Sequence, residues 1–124
     1  MEKQIASGLK TTFLVHLIVG ALFGLAYLLI PEVYGNLVGW PVKDPFGDRL
    51  FGAALLGITA TSWCAYKATT WESVKIVVQM EIIWTILGTL VVLGGIFLEG
   101  LPIIAWLNAA ILAAFAAAFT YFYT

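Results

Sequence analysis

The chain has 124 residues, 62% hydrophobic and 10% charged, with a mean hydropathy of +1.00. A soluble domain carries about 25% charge, so the composition excludes an ordinary soluble domain and predicts a single-domain integral membrane protein with the lipid bilayer as its main partner. A net charge of −1 without a basic run argues against nucleic acid, and one cysteine (Cys64) with one histidine (His16) leaves no set for an internal disulfide, a thiolate zinc site, an iron–sulfur cluster or a bis-histidine haem, so no cofactor is expected.

The first apolar run, residues 9–30, exceeds the roughly 7–15 residues of a signal-peptide core and lacks an Ala-x-Ala site, so it reads as a span that stays. It stops at Pro31, which does not continue a helix. Residues 31–47 are dense in breakers (Pro31, Gly35, Gly39, Pro41, Pro45, Gly47) interleaved with Tyr34 and Trp40. They predict an outer cap at headgroup level with a short helix near residues 32–38, a plain connecting loop being the simpler reading. The second span covers 48–69, with Asp48 as an N-cap or first-turn acid. The third covers 74–98, with Thr70 or Ser73 as its cap. The fourth covers 102–123, Pro102 suiting a first turn.

Short second and third connections make neighbouring helices antiparallel, which predicts an all-α, transmembrane, four-helix up-down-up-down bundle. Lys3, Lys10, Lys67 and Lys75 fall on one side and Lys43 and Arg49 on the other, so both termini are expected in the cytoplasm of a multi-pass cell-membrane protein. Small residues supply packing surfaces: Gly20 and Gly24 in the first span, Ala53, Gly57, Thr61 and Ala65 in the second, and Ala105, Ala109, Ala113 and Ala117 in the fourth, flanked by Ala110, Ala114 and Ala118. Two adjacent stripes in one helix hint at a homo-oligomer. Trp71 and Trp106 read as interface-belt residues, and Cys64 as a small core residue.

The organising feature is Glu81, a carboxylate deep in the third span that needs a partner or a polar cavity. His16 lies seven residues into the first span and Glu81 seven into the third, so in parallel helices both stand about 10 Å from the same face. Trp84 flanks Glu81, Trp63 and Tyr66 descend to the same half on the second span, and Arg49 and Asn108 approach near the outer leaflet. Glu81, His16, Trp84, Asn108, Arg49, Trp63 and Tyr66 are therefore the candidate ligand-binding residues. Three readings follow from them: an intramembrane pocket for a small apolar or lipid-like ligand, an accessory subunit that docks through its Ala/Gly faces with His16–Glu81 only fixing register, or a membrane enzyme using Glu81 and His16 for acid–base chemistry. The last lacks a nucleophile with an adjacent base, and a proton path would need polar groups at more levels.

From Leu29 to Ala65 a span ends in Pro31, a Gly-rich cap follows, and Asp48-Arg49-Leu50-Phe51-Gly52-Ala53-Ala54-Leu55-Leu56-Gly57 leads to Ser62-Trp63 and Ala65. This third of the chain resembles the DoxX-like small four-helix membrane proteins, many of unknown function. The resemblance implies a four-helix bundle with an interior site near the second helix and assigns no activity. In architecture alone the chain is also similar to sterol-isomerase-like four-helix proteins, which place acids among aromatics in a membrane cavity.

Overall fold

The computed structural model describes residues 3–123, which form five α-helices: α1 (Ser7–Leu29), α2 (Pro31–Val38), α3 (Pro45–Lys67), α4 (Trp71–Glu99) and α5 (Ile104–Phe122). The described residues contain no strand; an isolated bridge joins Gln4 to Thr70. α1, α4 and α5 are long and apolar enough to cross a membrane by length and composition. α3 equals α1 in length at 23 residues but is not among the three. Asp48, Arg49, Thr59, Thr61, Ser62 and Lys67 dilute its apolar content, so the expected second span is a less apolar helix than its neighbours.

Proline and glycine set the boundaries. Pro31 disfavours helical backbone at Ile30 (φ −136°), so α1 stops there and α2 starts on the proline itself. α2 is the short helix expected in the cap. It closes on Gly39, whose φ of 79° suits glycine, with the Trp40 N–H donating to the Gly35 carbonyl at 2.8 Å. Gly100 (φ 65°) ends α4 in the same backbone region. α3 begins at Pro45, with Asp44 at the N-cap position. Asp48 is thus a first-turn acid near the positive end of the helix dipole and not the helix start. α4 begins at Trp71, earlier than expected, and this carries Trp71 into the core at 5% exposure instead of the interface belt. Lys3 Nζ stands 5.4 Å from its ring centroid.

The helices form two antiparallel pairs. α1 lies along α3, with Gly24 against Leu56 and Gly52, and His16 against Ser62. α4 lies along α5, with Gly88 against Leu112 and Gln79 donating to the Tyr123 hydroxyl at 2.6 Å. One apolar core joins the pairs, built from Leu9 and Phe13 of α1, Ala65 of α3, Val74 and Val78 of α4, and Phe115 and Phe119 of α5. All of these lie at the end that holds the chain's amino terminus. At the other end α4 buries nothing between Thr85 and Gly95, and the space between the pairs is cavity.

The buried stripes differ from those expected. α3 turns Gly52, Leu55, Thr59, Ser62 and Ala65 inward, while Ala53, Gly57 and Thr61 are exposed. On α5 Ala105 and Ala109 are buried, but Ala113 and Ala117 are exposed and Phe115 and Phe119 replace them. A strict spacing of four advances about 40° per step around a helix of 3.6 residues per turn, so such a stripe drifts off any straight interface. The inward faces instead alternate steps of three and four. Cys64 follows the same rule: two residues after Ser62, it is exposed and not in the core.

Candidate functional site

Three buried polar side chains meet where the two pairs join. The inward stripe of α1 (Leu9, Phe13, His16, Gly20) brings in His16, that of α3 brings in Ser62, and that of α4 (Trp71, Val74, Val78, Glu81, Thr85) brings in Glu81. His16 is 3% exposed; Ser62 and Glu81 are fully buried. His16 Nε2 lies 3.1 Å from Glu81 Oε2. His16 Nδ1 lies 2.9 Å from Ser62 Oγ, and Ser62 Oγ lies 3.4 Å from Glu81 Oε1. The level-matching of residues 16 and 81 is therefore realised as a contact. Ser62, which closes the triangle, was missed; its signal was a place on the Gly52–Leu55–Thr59–Ser62–Ala65 stripe.

Ser62 has one hydroxyl hydrogen and three acceptors in reach: His16 Nδ1, Glu81 Oε1 and, at 3.5 Å, the Ile58 carbonyl. If Ser62 donates to Glu81, His16 Nδ1–H donates to Ser62, and the Nε2–Oε2 contact must hold one further proton. The pair is then neutral overall. If Ser62 donates to His16, Nε2–H faces Glu81 Oε2, and Glu81 is either ionised, leaving a net charge in the bundle, or protonated at Oε1 and donating to Ser62. A net charge costs several kcal/mol at this depth, so an arrangement in which His16 and Glu81 are neutral overall is the better one. Glu81 Oε2 contacts His16 without an aligned hydrogen bond, and the buried Trp84 Nε1, turned toward the Glu81 carboxyl, has none either. The Ser62 hydroxyl is held by its partners and fully buried, so this is no exposed nucleophile with a base.

Two cavities adjoin above the triangle. The inner chamber, about 290 Å³, is walled by all four long helices, with His16 at its floor beside Phe115 and with Trp84, Gly88, Leu55 and Asn108 around it. The outer vestibule, about 480 Å³, lies under α2 and the 39–44 segment, with Tyr34, Lys43, Asp44, Asp48 and Glu99 on its walls. Tyr27, Trp40, Phe51 and Asn108 line both and form the neck between them. Burial lifts the Tyr34 hydroxyl above the usual tyrosine range, so it remains a neutral donor.

The structure thus brings His16, Trp84 and Asn108 to the chamber wall, keeps Glu81 behind it against His16, and leaves three expected residues outside. Arg49 is exposed, faces Glu32 at 3.9 Å and lines neither of the cavities that hold Asn108. Trp63, 47% exposed, is off the inward face of α3 by one residue, with Lys67 Nζ 5.2 Å from its ring centroid. Tyr66, one residue beyond Ala65, packs on the rim of the terminal core and stacks with Trp63. No three His, Cys, Asp or Glu side chains converge on a metal site among the described residues. No family model, curated protein or solved structure matches the chain.

Proposed function

We propose that the protein is a multi-pass membrane protein that binds a small apolar or lipid-like molecule in the chamber between its two helix pairs. The observation that carries this reading is the chamber itself. Ligand pockets start at about 300 Å³ and are mostly apolar with a few convergent polar groups; this one holds about 290 Å³, opens into a larger vestibule, and sets His16 and Asn108 among aliphatic and aromatic walls. On this reading α3 crosses with the other long helices in an up-down-up-down bundle of the DoxX-like kind, and the amino-terminal end with Lys3, Lys10, Lys67 and Lys75 faces the cytoplasm. His16 is its floor, with Ser62 and Glu81 behind it, and a triangle neutral overall lets a polar group sit at depth without net charge.

Native mass spectrometry of protein extracted gently from its own membrane tests this. The expected result is a reproducible bound small molecule that is lost in Asn108→Leu; a clean apo mass in wild type overturns the reading. A second reading has one observation behind it. Ala110, Ala113, Ala114 and Ala117 leave a small-residue face exposed on α5, suited to another helix, either of an accessory complex or of a second copy. In the same spectra a mass shifted only by another protein chain selects it.

A further inference from the structure

The vestibule has a chemistry of its own. Within the vestibule lining Tyr27 meets Tyr34 at 5.5 Å and 76° and Phe51 at 5.3 Å and 66°. Rings set at such angles form walls and not a stack, and Trp40 adds a further wall at the neck. Asp44, Asp48 and Glu99 line the same cavity, and no cation pairs with any of them among the described residues. Lys43 is the one cation in the lining, because Arg49 is turned to Glu32. Three carboxylates against one ammonium, over aromatic faces, select for positive charge: ring faces attract organic cations, and unpaired acids repel anions. The chamber directly beneath, with its aliphatic walls, selects for an alkyl chain.

Resting on the ligand-binding reading above, we propose that the occupant is a single-chain amphiphile with an ammonium head, the head in the aromatic and acidic vestibule and the tail passing the Tyr27–Trp40–Phe51–Asn108 neck into the chamber. A lipid with a choline or ethanolamine head and a free amphiphilic amine share this chemistry.

The test uses the full chain in a non-ionic maltoside micelle, with octyltrimethylammonium, octanol and octanoate as probes and tryptophan fluorescence as readout, Trp40→Phe identifying the signal from the neck. Octyltrimethylammonium is expected to saturate with a Kd about ten-fold or more below that of octanol, a gap equal to about 1.4 kcal/mol and within reach of the ring and carboxylate contacts together. Asp48→Asn and Tyr34→Leu are each expected to weaken octyltrimethylammonium more than octanol and so to shrink that gap. Octanol or octanoate binding as tightly as the ammonium probe to wild type overturns the head assignment and leaves the pocket standing. Saturable binding by none of the three overturns the pocket reading itself. The wild-type comparison decides the matter even if a variant fails to fold. Displacement of the probe by lysophosphatidylcholine but not by lysophosphatidylglycerol names a lipid as the source; displacement by neither supports a free amine.

Discussion

Replacing His16 and Glu81 with leucine, singly and together, measures what the buried triangle contributes. His16→Leu removes the atom 3.1 Å from Glu81 Oε2 and the 2.9 Å partner of Ser62, stranding a fully buried carboxyl group. Carboxylates near the centre of a span cost about 2.5–3.5 kcal/mol in insertion measurements, so a loss of about 2–3 kcal/mol is expected. Glu81→Leu strands only a neutral imidazole that keeps Ser62, and hydrogen bonds between membrane helices are worth about 0.6–2 kcal/mol, so a loss of about 1–2 kcal/mol is expected. The double variant strands neither, and Ser62 falls back on the Ile58 carbonyl; its expected cost is about 1 kcal/mol or less. Glu81→Gln is the mild control, because its amide offers an acceptor to Ser62 and a donor to His16. The assay is reversible unfolding in mixed micelles or by steric trapping in bilayers. Losses that add within about 0.5 kcal/mol would mean that the two groups do not interact energetically, and the neutral-pair account would be abandoned.

Other consequences can be checked alongside. A Cβ on Gly52 would stand 2.6 Å from the Leu28 nitrogen and 2.8 Å from the Gly24 carbonyl, whereas one on Gly57 meets nothing within 4 Å. Gly52→Ala should therefore lower the unfolding midpoint, as for overpacked cores that lose about 1–3 kcal/mol, and Gly57→Ala should hold or raise it, by up to about 1 kcal/mol; equal effects in thermal melts would contradict the α1–α3 approach described above. Trp84→Phe should change folding stability little, since Trp84 Nε1 makes no aligned hydrogen bond; a melting loss as large as that of His16→Leu would show that this N–H has a partner. Gly39→Ala forces a side chain into left-handed backbone and should cost about 1 kcal/mol, read by the same melts. For the proposed orientation, a cysteine at Lys43 in a Cys64→Ala background should react with an impermeant maleimide added outside intact cells, and one at Lys67 should not; the reverse pattern inverts the topology.

Much of the helix pattern was legible because breakers and apolar runs act locally: Pro31, Gly39 and Gly100 mark ends that backbone chemistry dictates. Depth was legible too, since residues seven positions into parallel helices share a level, and His16 and Glu81 meet. Azimuth was not. A one-residue error is a 100° rotation, enough to put Trp63 and Tyr66 inside when Ser62 and Ala65 are there, and to carry an alanine stripe past Ala109 when the helix has already turned Phe115 inward. The vestibule was partly hidden for another reason. Tyr27, Tyr34, Trp40 and Phe51 come from three helices and a loop, and nothing in local spacing announces that their rings meet.

Because the main apolar cluster and the polar triangle lie toward one end, a relative tilt of the two helix pairs would pivot near His16. From His16 to Leu29 is 13 residues, an arm of about 20 Å, so a rotation of about 6° at that pivot widens the far end by about 2 Å. If the long helices cross a bilayer as proposed, its thickness and lateral pressure would act on the ends away from that cluster and would change the volume between the pairs. Spin labels paired across the outer ends of α1 and α4 should then report a broader distance distribution than labels paired across Leu9 and Val74, and the outer distribution should narrow as the lipid is made thicker.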